Sequence, residues 1–354
     1  MKYKIVNINE TGERSVLIIY TGGTFGMVQD ASGALAPFNF GKVVDRVPEL
    51  RQLSTRLTVI SFPKPIDSSN ILIQDWKDMV YIIEENYAQY DAFVILHGTD
   101  TMAYSASMLS YMLEGLNKPV ILTGAQMPIG SIRSDARENL ITALEIASAH
   151  NEGRPIISEV CVYFNHLLLR GSRSQKLRSS TFAAFESENY PVLAEAGIEI
   201  EYNYAALKPY NSKAKLTVKK HLDPNVIILK IFPGITQHAV RSILGDPEVK
   251  GIVLESFGSG NAMKFEWFTK CLKEAIDEGK IILNVSQCIG GEVEQGKYET
   301  SKDLNKIGVL SGGDITTEAA VTKMMFLLGA EIDKDKLKHL LKHSLAGEMD
   351  TVWE

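Results

Sequence analysis

The sequence predicts an α/β protein with two domains, a larger N-terminal one and a smaller C-terminal one. Short apolar runs of strand length alternate with amphipathic stretches of helical length, which is typical of parallel sheets flanked by helices. A length of 354 residues exceeds what one hydrophobic core normally organises. A less regular region at 202–221, with tyrosine, asparagine and lysine and few apolar runs, separates two sets of elements. We therefore expect a mainly parallel sheet in the first domain and a parallel sheet in the second.

The predicted elements fall into two groups along the chain. In the first half, strands are predicted at 16–20, 57–62, 92–96, 119–123 and 160–164, and helices at 74–87, 103–116 and 137–147. In the second half, strands are predicted at 226–232, 251–256 and 281–286, and helices at 237–244, 265–278, 317–327 and 335–343. This grouping gives an N-terminal domain at 1–206, a linker at 207–225 and a C-terminal domain at 226–354.

The composition excludes several classes of protein. A net charge of −6 and an isoelectric point near 5.8 give no basic surface for nucleic acid. The first residues lack the apolar core of a signal peptide, and no stretch has the roughly 18 consecutive apolar residues of a membrane span. The three scattered cysteines do not form a disulfide or zinc pattern. We expect a soluble cytoplasmic protein with no metal and with neither a nucleic-acid nor a membrane partner.

The stretch S-V-L-I-I-Y-T-G-G-T-F-G-M at 15–27 contains the turn around which the first domain is organised. Its apolar run at 16–20 is typical of a strand buried on both faces. The two adjacent glycines that follow permit a tight turn with backbone N–H groups near the strand end. The hydroxyl of Thr21 or Thr24 can then act as a nucleophile. A strand-to-loop turn capped by threonine explains the same residues, so this stretch alone leaves both interpretations open.

Polar loops follow the other predicted strands of the first half. They contain Asp67, Ser68 and Ser69; His97, Gly98, Thr99 and Asp100; Gln126; and Lys176. In a parallel sheet the carboxyl ends of the strands meet at one edge, where open α/β proteins bind ligands. We therefore expect these loops and the T-G-G-T turn to form one crevice.

The residue types in these loops suit acyl transfer, which needs a nucleophile, a path for its proton and donors for the oxyanion. A threonine supplies the hydroxyl, and Thr99, Asp100 and Lys176 can form a proton relay. The backbone at Gly98 and the side chain or backbone of Gln126 are candidate oxyanion donors. Acids and hydroxyls in the same loops suit a small zwitterion such as an α-amino acid.

Structural interpretations of these residues remain open. Asp100 can cap the helix that follows it, and the loop at 67–69 can be a capped turn. Lys176 can belong to a solvated charged loop, and His97, with no clear acid partner, is more typical of a structural histidine. The glycines match neither nucleotide-binding pattern, so phosphate binding is not expected.

Two motifs resemble the signature motifs of the bacterial-type L-asparaginase family. They are Y-T-G-G-T-F-G-M at 20–27 and V-I-L-H-G-T-D-T-M-A-Y-S-A at 94–106. Supporting segments are D-S-S at 67–69, R-G-S-R-S-Q-K at 170–176 and S-G-G-D-I-T-T-E-A-A at 311–320. The H-G-T-D-T-M-A-Y form and the missing signal peptide resemble the cytoplasmic type I branch.

The resemblance implies an asparaginase-like two-domain fold that hydrolyses L-asparagine to L-aspartate and ammonia. It implies a threonine acyl-enzyme, no metal or cofactor, and a homodimer or homotetramer. Carried over by motif position, the implied nucleophile is Thr24, the other implied catalytic residues are Thr99, Asp100 and Lys176, and the implied substrate-binding residues are Asp67, Ser68, Ser69, Thr99 and Asp100.

One departure from the family pattern concerns the partner of the nucleophile. Many members carry a tyrosine on a loop downstream of the nucleophile, where this chain has Ala34. Tyr298, in G-K-Y-E-T, is our candidate replacement, because the resemblance to some type I relatives implies a tyrosine from that segment in this role. A glutaminase-asparaginase, an amidotransferase subunit that releases ammonia, and a non-catalytic amino-acid-binding protein of the same fold remain alternatives.

Overall fold

The computed structural model describes residues 3–29, 35–37, 43, 45–294 and 299–350. The chain divides into two compact units, Met1–Lys219 and Lys220–Glu354. Each unit has its own sheet and its own hydrophobic core. The division falls within the predicted linker at 207–225, and the ends of that linker stay a prediction.

Nine strands form one sheet in the N-terminal unit. Their bounds are β1 Lys4–Asn9, β2 Arg14–Gly22, β3 Thr55–Ile66, β4 Ala92–Leu96, β5 Val120–Thr123, β6 Val160–Phe164, β7 Leu167–Arg170, β8 Ala194–Ala196 and β9 Ile200–Tyr202. Their order across the sheet is β1-β3-β2-β4-β5-β6-β7-β8-β9. The five central strands, β3 to β6 in that order, run parallel, and the outer neighbours pair antiparallel. The sheet is therefore parallel at its centre and mixed as a whole.

Strand β2 lies in the middle of this parallel region, as its apolar sequence predicts. Ile18 is opposite Val59 of β3 and Val94 of β4. Every residue of β2 after Arg14 is buried. A strand covered on both faces reads as a continuous apolar run rather than an alternating one, which is why 16–20 could be recognised from the sequence.

Three helices cover the N-terminal sheet: α1 Ile73–Asn86, α2 Met102–Met112 and α3 Ala136–Ser148. The prediction that α2 extends to residue 116 is wrong. Leu113–Glu114 instead forms a short antiparallel pair with Thr217–Val218. Three further short pairs are Met27–Gln29 with Leu35–Pro37, His150–Asn151 with Arg154–Pro155, and Gln175–Lys176 with Phe185–Glu186.

The C-terminal unit contains a four-stranded sheet that is entirely parallel, in agreement with the prediction. Its strands, in spatial order, are β10 Val226–Lys230, β11 Gly251–Ser256, β12 Ile281–Ser286 and β13 Leu310–Ser311. Its helices are α4 Gln237–Leu244, α5 Glu266–Asp277, α6 Glu299–Ile307, α7 Thr317–Gly329 and α8 Lys334–Lys342. Across the described ranges of both units, no helix is long and apolar enough to cross a bilayer.

A fully buried ion pair fixes the segment that follows α8. Lys323 of α7 and Glu348 have no exposed side-chain surface, and Lys323 Nζ lies 2.7 Å from Glu348 Oε1. Lys323 also donates to the backbone oxygen of His343 at 2.7 Å. Glu348 accepts from the backbone N–H groups of Leu345 and Ala346. Burial alone would raise the pKa of Glu348, but Lys323 and these N–H groups hold that pKa below its ordinary value. The pair therefore has both the charge and the hydrogen bonds that a buried pair requires.

Replacing Lys323 by methionine should destabilise the C-terminal unit by about 3–5 kcal/mol, because Glu348 would keep a buried charge without its partner. The matched control is Lys306→Met. That lysine pairs with Asp303 across an exposed surface, so its loss should change stability by less than about 0.5 kcal/mol. Urea unfolding of the full chain, followed by circular dichroism, measures both. If both replacements lowered the free energy of unfolding by the same small amount, Lys323 and Glu348 would not form a buried charged pair.

Candidate active site

Three turns at the carboxyl edge of the N-terminal sheet lie in close contact with one another. A Cβ atom added to Gly23 would lie 2.5 Å from both the Cα and the N atom of Gly98. Gly23 has φ of +79°, a conformation that glycine adopts without strain. A Cβ added to Gly98 would in turn lie 2.4 Å from Ser68 Oγ. The turns after β2 and β4 therefore touch backbone to backbone, and the turn after β4 packs against the Ser68 side chain of the turn after β3, as the sequence predicted for one crevice.

The two threonines of the T-G-G-T turn have different environments. Thr21 is buried, and its hydroxyl donates to the backbone oxygen of Leu96 at 2.9 Å. Thr24 opens the short 3₁₀ turn Thr24–Gly26 and is partly exposed. Among the described residues, Thr24 Oγ1 has no hydrogen-bond partner. Of these two hydroxyls, only that of Thr24 is left unpaired by the described part of the chain, whereas that of Thr21 stabilises the turn.

Lys176 joins Thr99 and Asp100. Its Nζ lies 2.8 Å from Thr99 Oγ1 and 2.7 Å from Asp100 Oδ1. The Lys176 side chain is only 17% exposed, whereas that of Asp100 is 64% exposed. The ammonium group is therefore held between a nearly buried hydroxyl and a carboxylate that is open to solvent. The interpretation of Lys176 as part of a solvated charged loop is wrong.

Asp100 does not cap the helix that follows it. Helix α2 begins after Thr101, whose side chain makes no cap hydrogen bond. The Thr101 hydroxyl instead donates to the backbone oxygen of Ser68 at 2.8 Å. This bond adds a side-chain link between the turns after β4 and β3, and the Asp100 carboxylate instead accepts from Lys176.

The turn at 67–69 is capped, as its alternative interpretation predicted. Asp67 Oδ1 accepts from the backbone N–H of Ser69 at 3.1 Å, at the start of the 3₁₀ turn Ser68–Asn70. Ser68 is buried against Gly98, and Asp67 and Ser69 are exposed. A structural cap and a ligand contact are compatible here, because an ionised carboxylate has further lone pairs.

Gln126 does not have the free donors that an oxyanion site requires. Its side-chain Nε2 donates to the backbone oxygens of Thr181 and Ser179, at 3.0 and 3.3 Å. Its backbone N–H donates to Asp135. Its Oε1 accepts from Thr99 Oγ1 at 3.2 Å. The suggestion that Gln126 is an oxyanion donor is therefore wrong, because its donors are occupied and the atom that faces Thr99 is an acceptor.

His97 is structural, as its lack of an acid partner predicted. Its Nδ1 lies 2.7 Å from the backbone oxygen of Gly98, which can only accept, so Nδ1 carries the proton. Its Nε2 is then the acceptor for Ser105 Oγ at 2.9 Å, and Trp76 Nε1 donates to that oxygen at 2.8 Å. Complete burial lowers the pKa of His97 to about 4. A neutral imidazole thus supports the turn that bears Thr99.

Two features of the site were not accessible to sequence reasoning. Lys176 does not lie in the loop directly after β6, because β7 and the 3₁₀ turn Gly171–Arg173 intervene before it. The partners of Gln126 at 179 and 181 are main-chain oxygens, for which side-chain identity gives no signal.

Tyr298 and Ala34 lie outside the described residues. Among the described residues, no three His, Cys, Asp or Glu side chains form a group suited to a metal ion.

Comparisons with known proteins identify the family of this chain. Residues 15–208 match the family model "Asparaginase, N-terminal", and residues 225–341 match "Glutaminase/Asparaginase C-terminal domain". The chain belongs to the asparaginase family. L-asparaginase 1 of Escherichia coli strain K12 is 38% identical over 339 residues, which cover 95% of this chain and 98% of that protein. The family and the fold class expected from the sequence are confirmed.

Two further relatives show how far the similarity extends. The crystal structure of L-asparaginase I from Vibrio cholerae superposes with a TM-score of 0.86 at 37% identity, covering 95% of this chain and 99% of that one. A mouse protein named 60 kDa lysophospholipase is also 38% identical, over 361 residues. That alignment covers 95% of this asparaginase-family chain but only 63% of the mouse protein.

Because of His97, the free energy of unfolding should decrease as the pH is lowered from about 6.5 to about 4. In the unfolded chain this residue is protonated below its ordinary pKa of 6.5. In the folded chain it is protonated only below a pKa of about 4. The lost stability amounts to about 3 kcal/mol between these two pH values. Replacement by glutamine should flatten this part of the pH dependence, even if it lowers stability overall.

The control for this prediction is His238→Gln, because His238 is exposed and its replacement should keep the wild-type slope. Thermal unfolding between pH 4 and 7 measures all three proteins. A His97→Gln variant with the wild-type slope would show that His97 titrates as it does in water.

Proposed function

We propose that this chain is an L-asparaginase that hydrolyses L-asparagine to L-aspartate and ammonia. The observation that carries the proposal is the Lys176 ammonium group, which bridges Thr99 and Asp100 one residue beyond the contact of Gly23 with Gly98. This arrangement occurs in a member of the asparaginase family whose relatives include named L-asparaginases.

In the proposed reaction, Thr24 is the nucleophile. Its oxygen bonds to the side-chain amide carbon of asparagine, and the C–N bond breaks to leave an ester on Thr24. The hydroxyl proton of Thr24 ends on the leaving nitrogen, which departs as ammonia. A water then hydrolyses the ester and returns a proton to Thr24, giving aspartate. The contacts of Lys176 with Thr99 and Asp100 support a role for these three residues in carrying the protons.

The substrate-binding residues in this proposal are Asp67, Ser68, Ser69, Thr99 and Asp100. Exposed carboxylates at Asp67 and Asp100 suit the α-ammonium group of the substrate. Hydroxyl and backbone N–H groups of the 67–69 turn suit its α-carboxylate. Because one methylene distinguishes glutamine from asparagine and is worth about 1–3 kcal/mol, these contacts do not rank the two amides.

Three competing functions are distinguished by measuring ammonia release, aspartate binding and fatty-acid release. A glutaminase-asparaginase would release ammonia from both amides at comparable rates. A non-catalytic member would bind aspartate without turnover. The mouse relative carries the name of a lysophospholipase, so release of fatty acid from a lysophospholipid, without ammonia from asparagine, would contradict our proposal in favour of an esterase.

We also propose that the protein acts in the cytoplasm as a homodimer or homotetramer and needs no cofactor. The type I form of the H-G-T-D-T-M-A-Y motif supports this proposal. Light scattering of the purified protein that gave only the monomer mass would contradict the assembly. If chelation or exhaustive dialysis abolished ammonia release, the protein would need a cofactor. If cell fractionation recovered the protein outside the cytoplasm, the proposed location would be wrong.

The choice between the two threonines is tested by Thr24→Ala and Thr21→Val. The first removes the proposed nucleophile and should lower kcat for ammonia release by about 10³-fold or more. The second removes the bond to Leu96 and should cost about 1 kcal/mol of stability but retain turnover. Ammonia release and urea unfolding measure the two effects. Retained turnover in Thr24→Ala would show that Thr24 is not the nucleophile.

Tyr298 is proposed as the hydrogen-bond partner of Thr24. Tyr298→Phe removes only the phenolic hydroxyl, so kcat for asparagine should fall by about 10²-fold, as for loss of other proton-transfer partners. The exposed Tyr81→Phe is the control. An unchanged kcat in Tyr298→Phe would exclude this tyrosine and leave activation of Thr24 to another group.

A further inference from the structure

The side-chain amide of Gln126 has one chemically consistent orientation. Its NH₂ group faces the backbone oxygens of Thr181 and Ser179, which can only accept. Rotating the amide by 180° would place its oxygen against both carbonyl oxygens and lose two hydrogen bonds. The oxygen Oε1 therefore faces Thr99 and acts as an acceptor for its hydroxyl.

This orientation determines the direction of the Thr99 hydroxyl. The hydroxyl has one proton and two lone pairs. Because Oε1 of Gln126 can only accept, the Thr99 proton points toward it. Thr99 Oγ1 accepts in its 2.8 Å bond with Lys176 Nζ, because an ammonium group can only donate. One lone pair of Thr99 remains for a third group, and Lys176 is a donor to both Thr99 and Asp100.

One hairpin carries Lys176 and also the backbone oxygens that hold Gln126. Gln175–Lys176 pairs antiparallel with Phe185–Glu186, and the backbone N–H of Leu177 donates to Ala184 at 2.8 Å. An ion pair between Arg178 and Glu186 closes the same segment. The carbonyl groups that hold Gln126 lie at the tip of this hairpin, and Lys176 lies at its base. The hairpin at 175–186 thus approaches Thr99 directly through Lys176 and indirectly through Gln126.

We propose that Gln126 is a positioning residue that acts through the Thr99 hydroxyl, and that the tip of the 175–186 hairpin sets the orientation of Gln126. This inference rests on the proposed asparaginase function. Gln126 cannot take up a proton itself. It fixes the Thr99 proton toward its own Oε1, so that one lone pair of Thr99 accepts from Lys176 and the second stays available to a reacting proton.

The test is a double-mutant cycle with Gln126→Met and Thr99→Val, two replacements of similar shape that remove the amide and the hydroxyl. Gln126→Met should lower kcat for ammonia release about tenfold, because Thr99 loses its fixed direction. KM for asparagine should change less than about twofold. In a Thr99→Val background, Gln126→Met should lower kcat by less than about twofold more, since the hydroxyl through which it acts is absent.

A purely structural role gives a different result. Loss of the bonds to Ser179 and Thr181 would then lower kcat by the same factor with or without the Thr99 hydroxyl, and that additivity would overturn the inference. An unchanged kcat in Gln126→Met would overturn it too. Gln89→Met is the matched control, since Gln89 is exposed and precedes the amino end of β4, and it should retain wild-type kinetics.

The same four proteins also give a measurement that requires no turnover. Because Thr99 and Gln126 are hydrogen-bonded, the shift of the urea midpoint in the double variant should differ from the sum of the shifts in the two single variants. Additive shifts would overturn the contact itself. A wild type that releases no ammonia from asparagine would instead contradict the proposed function, while the midpoint cycle would still decide the contact.

Discussion

The arrangement of the candidate site depends on the approach of two main-chain turns, at Gly23 and Gly98. No Cβ fits at either position, because the first would meet the opposing backbone and the second would meet Ser68. The two turns end adjacent parallel strands, β2 and β4, whose register places Tyr20 opposite Leu96. Since the strands fix the spacing and the glycines permit contact, Thr24 and Thr99 follow on neighbouring turns. The proton relay and the substrate loop are arranged around this contact.

Much of the fold could be predicted, because the central strands are buried on both faces and read as unbroken apolar runs. The strands at 92–96 and 160–164 have the predicted bounds. Most of the elements that were missed carry weaker signals, although β7, with the buried run L-L-L-R, does not. Strand β1 has no buried residue, and β8 and β9 have three residues each. Helix α6 is mostly polar, with the sequence E-T-S-K-D-L-N-K-I. Local patterning fails where an element is short or solvated.

The site could be predicted at the level of loops but not of hydrogen bonds. Strand polarity brings Thr99 and Asp100 to the edge, and a lysine with a long side chain reaches them. The donor and acceptor roles of Gln126 could not be predicted, because its partners lie 53 and 55 residues further along the chain and are backbone oxygens. The same limit applies to His97, whose neutral state depends on burial beneath the turn rather than on its neighbours in sequence.

The Gly23–Gly98 contact also bears on how such a site can diverge during evolution. Its geometry resides in main-chain atoms, whereas the groups that face a ligand, such as Asp67 and Ser69, are exposed side chains. Changes at those positions would alter what is recognised without altering the spacing of the turns. Substitutions at Asp67 or Ser69 are therefore the route by which this framework could acquire a different specificity.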